Sequence, residues 1–553
     1  MDRREFFKPR KKIQRSFPEK NFRTLSGIDP YTGSWTTNEV QHLLKRVMFG
    51  STKADIDFFK TKSLSETVNI LLNPVSPLPP PPVNDYNNQT ITDPGVPAGQ
   101  TWVNTPTVDG TLNGLRNLSF KKWWVGALLN QDRSIREKMS LFWANHFGTE
   151  TNEIITSHYI YQHHALLRSN ALGDFKSLVK SVTVDPGMLR YLNGYLNTKN
   201  APDENYAREL QELFTIGKDP VSGLSNFTEY DIKLAAKILS GWRINNTTWN
   251  AFFDASKHDS SNKQFSSFYN NTTITGKTGT AGAGETDELI DMIFLKNEVA
   301  AHICRNLYRW FVYYKIDTAT ENNLIQPLAD IFRSNNYEIK PVLSALFQSE
   351  HFFDVLNQGC LIKSPADLVI GTMREYNVLF PDIVTEYADA YGMYNYLNSR
   401  LITMTQNLGD PPGVAGWPSY YQAPQYHEIW INSDTLPKRN VFTDTFINTG
   451  FTRNGKKLII DTVAFAKTLS NPADPNLLID DALAILFRVP LSSTSKQALK
   501  QQILLSGQVQ DYYWTDAWNL YIANPTPANL AIVNTRLKSL FQNLMNLAEY
   551  QLS

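Results

Sequence analysis

The sequence predicts a mainly α protein: one large multi-helix globular unit with long polar loops and a Pro-rich insertion. Three observations carry this. Apolar residues recur at i, i+3, i+4 and i+7 behind capping residues along most of the chain. Strand-like alternation over more than five residues is scarce, and no fixed-period repeat points to a solenoid. At 553 residues a sizeable core is available, and 53 Lys and Arg balance 53 Asp and Glu, so no net charge draws the chain to nucleic acid. Cys304 and Cys360 are the only two cysteines, which excludes a disulfide scaffold. No apolar run approaches the roughly 18 residues of a membrane-spanning helix.

Residues 1–33 read as a basic tail. Its first 25 residues carry nine Lys and Arg against three acids, and the opening DRREFFK looks like a twin-arginine export motif without the apolar segment an export signal needs. That absence points to a cytoplasmic protein, while the RREFFK start leaves the periplasm or envelope open. From residue 34 to 553 the expectation is a single elaborated helical domain. Thr36 and Glu39 form a capping box ahead of Val40, Leu43, Leu44 and Val47, with Gly50 placed to end the helix. Helices follow at 53–60 and 64–72. Residues 74–112, with Pro77 and the run Pro79 to Pro82, cannot sustain a helix and read as a long surface loop or linker.

Order returns near Leu115. Ser134 and Glu137 suggest a second capping box for a helix bearing Phe142, Trp143 and His146, ended by Gly148. Further helices are expected near 153–169, 174–183, 186–193, 202–215 and 229–240. Residues 243–286 form a polar insertion, a loop or small β-excursion. Helices resume at 286–314, 321–335, 341–349, 365–380, 476–487, 494–505 and 528–547. The stretch 406–433, rich in Trp, Tyr, Pro and Gly, is too irregular for a helix and reads as an aromatic loop.

Several signatures fail on inspection. The GKT at Gly276 lacks the P-loop glycine, since position 271 is Asn271; the GxG at Gly282 meets Asp287 where a third glycine belongs; and His427-Glu428 lacks the second zincin histidine, since position 431 is Ile431. What remains is chemistry on helices. Over 201–214, Tyr206, Leu210, Leu213 and Phe214 make an apolar face, while Asn205, Arg208, Glu209 and Glu212 share the other side. Glu209 and Glu212 at i, i+3 suit acid and base roles or the ligation of a divalent metal, with His146 as a third ligand. The same charges, at i, i+4 from Arg208, also suit an ordinary solvated face, and His146 beside Phe142 and Trp143 also suits a core histidine near Asn145. His158, His163 and His164 stand on the next helix. His258 with Asp259 suits an oriented general base, or a turn. In the aromatic loop, Trp417 and Trp430 suit stacking on a glycan or a partner, or plugging the loop onto its own domain.

These residues sit in segments that resemble the bacterial domain of unknown function 1800 family: HLLKRVMFG (42–50), REKMSLFWANHF (136–147), the run 166–193, APDENYARELQELFTIG (201–217), FTEYDIKLAAKILSGW (227–242), KHD (257–259), GDPPGVAGWP (409–418), WINS (430–433) and a closing EYQLS. The resemblance implies one elaborated, mainly helical unit. It also implies a polar pocket from positions corresponding to Trp143, His146, Arg190, Tyr191, Asn197, Asn205, Arg208, Glu209, Glu212, Asp231, Trp242, His258 and Asp259. It further implies an export signal and a sulfatase-like uncharacterised partner protein. The sequence departs from the family in lacking the apolar export segment and in a longer polar insertion between Asp259 and Gly282, around Lys263 and Lys277. Two functions follow: an enzyme, hydrolase-like and metal-assisted or not, using His146, Asn205, Arg208, Glu209, Glu212, His258 and Asp259; or a non-catalytic envelope, assembly or glycan- and partner-binding protein.

Overall fold

The computed structural model describes residues 27–220 and 222–553. The expected basic tail, with its RREFFK start, lies outside the described residues up to residue 26. The described chain is mainly helical, with three two-stranded antiparallel hairpins as its only sheets among the described residues. One hydrophobic cluster takes in side chains from Val40 to Tyr550, so the first and last helices share a core. No helix among the described residues is long and apolar enough to cross a membrane.

Local sequence sets most helix starts. Thr36 and Glu39 cap helix Thr37–Val47 reciprocally, and Thr52 with Asp55, Ser63 with Glu66 and Thr228 with Asp231 repeat the device at the next helices and at Glu229–Ile238. The Ser134 box does not form. Ser134 turns to Asp132, helix Arg136–His146 starts from an uncapped Ile135, and Glu137 reaches across to Arg168 at 2.5 Å. The helix expected at 153–169 is broken at Ile155 (φ +66°) into Thr151–Ile154 and Ser157–Ser169, and 286–314 divides into Gly284–Ile293 and Asn297–Phe311. Helices outside the expected set include Tyr387–Thr403, Thr435–Asn448, Thr462–Lys467 and Tyr512–Ala523, and the short Pro418–Tyr421 within the aromatic loop. The polar insertion does contain β-structure, two short hairpins.

The Pro-rich stretch is no linker. Trp102 and Asn84 are fully buried, and Asp93 receives both Tyr86 and the buried guanidinium of Arg116, whose helix Gly110–Leu129 packs along Tyr387–Thr403. At the other end, Lys363 N–H donates to Gln551 at 2.8 Å and Ile362 pairs with Leu552, which lays the last residues beside the start of helix Pro365–Glu375.

Gly50 does not end the first helix, which stops at an extended Met48. Its role is contact: at φ +69° it lies against Gly371, and a Cβ there would stand 2.6 Å from the Gly371 Cα. A Cβ on Gly371 meets Gly50 at an ordinary 3.6 Å. Gly50→Ala is therefore expected to cost at least about 2 kcal/mol, through left-handed backbone strain and the clash. Gly371→Ala, inside a helix, should be neutral or gain up to about 1 kcal/mol. Urea unfolding of the two variants checks this asymmetry.

Candidate functional site

The helix that carries the predicted stripe runs as an α-helix over Asn205–Glu209 and opens into a π-helix over Leu210–Thr215. Tyr206, Leu210 and Phe214 bury its apolar face as the spacing required. A helix end sunk in a core leaves carbonyls that must find donors. Two histidines supply them: His146 Nε2 lies 3.0 Å from the Phe214 carbonyl, and His302 Nε2 lies 2.9 Å from the Leu213 carbonyl. A carbonyl only accepts, so each ring carries its proton on Nε2. Gly217 (φ +75°) follows, and its missing side chain is what lets the His302 ring approach, since a Cβ would collide with it.

His146 is thus a core histidine. Phe142 stacks on it, and Trp143, Phe147 and Phe175 surround it. Burial, with the charge of His302, pulls its imidazole down to about 3; burial likewise takes His302 to about 4. The metal set His146, Glu209 and Glu212 is not brought together, because His146 faces the helix end from inside while the carboxylates stand on its outer side. The helices Arg136–His146 and Ser157–Ser169 do pack together, yet His163 turns to Asp185 (2.9 Å) and His158 to the Val103 carbonyl (2.7 Å). Among the described residues no group of three or more His, Cys, Asp and Glu side chains is placed to hold a metal ion.

On the outer side Arg208 is already satisfied. It grips Glu229 with two bonds of 2.9 and 2.6 Å and reaches Glu204 and Glu212 at 3.4 Å, so it does not offer the predicted hold on an anionic group. Glu212 also meets Lys218 at 3.0 Å. Asn205 is exposed, with its backbone N–H on Asp203. Glu209 is different: half-buried, it takes part in none of these bonds. Burial and the like charge of Glu212 push its carboxyl up, against Arg208 and Lys218. Nearby, the Tyr191 hydroxyl donates to Glu150 Oε1 at 3.0 Å, and burial together with the charges of Glu150, Glu153 and Glu209 pushes its phenol up. Glu150 was not singled out in the sequence; its only local sign is its position just before the short helix Thr151–Ile154, which Asp410 caps through Thr151.

His258 and Asp259 lie elsewhere and do not form an oriented base. His258 Nδ1 meets the Ser240 carbonyl at 2.9 Å and Nε2 stands 3.1 Å from Glu285, while the Asp259 carboxylate accepts from Ser261. Fully buried Glu285 also accepts from Lys263 (2.6 Å) and the Lys277 backbone. Burial pushes its carboxyl up, but these bonds outweigh it and hold the carboxyl below the usual range. The group ties the second hairpin to helix Gly284–Ile293, which gives Lys263 and Lys277 a structural role. Trp417 and Trp430 are 3% and 2% exposed, so they plug the aromatic loop inward and offer no stacking platform to a glycan or partner. Asn145, expected beside His146, instead receives the Trp417 backbone N–H at 2.7 Å.

A family model described as a protein of unknown function (DUF1800) matches residues 42–552. No curated protein and no solved structure matches the chain.

His146 is neutral in the fold and binds a proton near pH 6.5 once unfolded, so the unfolded chain holds more protons between pH 6.5 and about 3 and stability falls as pH falls through that window. His146→Gln keeps a donor for the Phe214 carbonyl without the titration. Its stability is expected to fall less steeply between pH 6.5 and 4, by up to about 1.4 kcal/mol per pH unit, in urea unfolding at stepped pH.

Proposed function

Because the chain belongs to the DUF1800 family of proteins of unknown function, we propose the reading that its own geometry best supports: an enzyme of hydrolytic type in which Glu209 transfers the proton. One observation carries it. Of the carboxylates on the 205–215 helix, Glu209 alone is half-buried and outside every ion pair and hydrogen bond described above, and its environment favours the protonated form. Glu212 beside it is held by Lys218 and Arg208. A carboxyl whose surroundings raise its proton affinity, next to a carboxylate held in ion pairs, suits the acid role. A π-helical turn directly after Glu209 adds support, since such turns are rare and concentrate at functional positions.

In this reading Glu209 donates its proton to the leaving oxygen as the scissile bond breaks. The Glu150 carboxylate, oriented by the Tyr191 hydroxyl, accepts a proton from the attacking water, whose hydroxyl completes the new bond. Bulk solvent then restores both groups. His146 and His302 do not touch the reacting atoms; they position the helix from behind.

Glu209→Gln is expected to lower hydrolysis of a chromogenic glycoside, carboxyl-ester and phosphoester panel by on the order of 10²–10⁴-fold, with the melting temperature nearly unchanged. Glu212→Gln removes the charge that raises Glu209, so the high-pH limb of the rate profile, where Glu209 loses its proton, should move to lower pH. Turnover that is absent in the wild type, or equal in Glu209→Gln, sinks the proposal.

A further inference from the structure

A second site shares no residue with the Glu209 face. Six cations are buried near one another: Lys45, Arg46, Lys138, Lys363, Arg439 and Arg488, each 5% exposed or less. Their electrostatic neighbours among the buried or half-buried acids are Glu375, Asp367 and, for Arg488, Glu39. Lys45 pairs with Glu375, and Lys138 with Asp367. Lys363 has no carboxylate in contact. Its ammonium lies over the Tyr550 ring at 3.9 Å, and burial, against Glu375 but with Lys45, brings it down to about 7. Counting the terminal carboxylate of Ser553 still leaves six basic groups against four acidic ones. Buried charge without a counter-charge is expensive, so an excess of this kind calls for an anion.

The cluster opens on a pocket that has the shape for one. Its unfilled space is about 510 Å³, solvent mouth included, between the end of helix Thr37–Val47, the first turn of Arg136–His146, helix Asn297–Phe311 and the aromatic loop. Arg46 lines it with Nη2 spent on the Asn357 carbonyl (2.8 Å) but with Nε and Nη1 buried and unpartnered. His427 lines it too. Its Nδ1 accepts from the Ile362 backbone N–H at 3.2 Å, which fixes the proton on Nε2, and that donor is buried without an acceptor. Trp310, with Tyr420 stacked on it at 3.9 Å, forms an aromatic wall, and Tyr314 stands 5.1 Å from the His427 ring.

We propose that this pocket binds a doubly charged oxyanion, the phosphate group of a ring-bearing monoester, with Arg46 and the His427 Nε2–H as its principal donors. A guanidinium with its Nε–H and Nη1–H groups free supplies charge-assisted donors to an oxyanion. The surplus of cations favours a dianion over a monocarboxylate. The enclosed part of the pocket suits the oxyanion group, and the ester's ring would lie against the aromatic wall.

The full-length protein should be titrated with inorganic phosphate and with sulfate at constant ionic strength, by calorimetry and by melting temperature, with chloride and acetate as references. Saturable one-site binding of phosphate or sulfate with a rise in melting temperature is expected, weakened at least tenfold in Arg46→Gln. Arg46 also holds the Asn357 carbonyl, so His427→Phe, which keeps a ring beside Tyr314, serves as the second variant and should weaken binding similarly. Lys457→Gln on the exposed hairpin should leave it unchanged. Inorganic sulfate, also a tetrahedral dianion, serves here as an analogue of the phosphate group. No saturable effect beyond that of chloride, acetate binding as tightly as either dianion, or binding indifferent to both Arg46→Gln and His427→Phe overturns the proposal.

Discussion

Two imidazole N–H groups on two backbone carbonyls set the geometry of the Glu209 face. The helix ending at Thr215 is driven into the core by Tyr206, Leu210 and Phe214, and its widened last turn leaves the Leu213 and Phe214 carbonyls without backbone donors. His302 and His146 satisfy them from two different helices. The energetic case rests on an asymmetry: a buried hydrogen bond adds about 1 kcal/mol net, whereas a buried carbonyl left bare costs more than that. The histidines also link this helix to Arg136–His146 and Asn297–Phe311, both of which carry residues of the cationic pocket.

The outer side of the same helix follows from that anchoring. With the helix fixed in rotation, Arg208 falls opposite Glu229 of the next helix and is consumed there, and Glu212 falls beside Lys218. Glu209, one position on from Arg208, joins neither pair and lies near enough to Tyr191 for its charge to act on that phenol. A residue of the same chemical type at three-residue spacing therefore has a different environment. The difference comes from the helix's rotational setting and from the burial that setting imposes.

How much of this was legible in the sequence depended on distance along the chain. Capping boxes act over three residues, and the one at Thr36 declares itself in the sequence. The apolar face of the 205–215 helix and its opposing polar stripe were equally readable. Helix Thr435–Asn448 was not, because Arg439 and Thr443 lie fully buried on its core side and hide the apolar period. Tyr387–Thr403 begins without a side-chain cap, and its Tyr and Asn residues blur the pattern. The role of His146 turned on Phe214, 68 residues away, and on His302, 89 residues from the Leu213 carbonyl it meets. Trp417 and Trp430 read as plug or platform, the plug being the commoner case for such rings; contacts with Asn145 and the core make them the plug.

The cationic pocket was invisible for a related reason. Lys45 and Arg46 close a helix whose negative end favours them, Lys138 reads as an ordinary helical charge, and Arg439 and Arg488 read as isolated charges. They become unusual only when the fold brings five separate segments together and excludes water. The chain's overall neutrality, 53 cations against 53 acids, conceals this segregation. Acids gather around Tyr191 and Glu209, while cations gather beneath the aromatic loop. Hydrophobic residues at Arg46, Lys363 and Arg439 would have served packing at lower cost. Retaining unneutralised charge there is costly for the unliganded fold, and a bound dianion would offset part of that cost directly, by replacing repulsion between cations with charge-assisted hydrogen bonds.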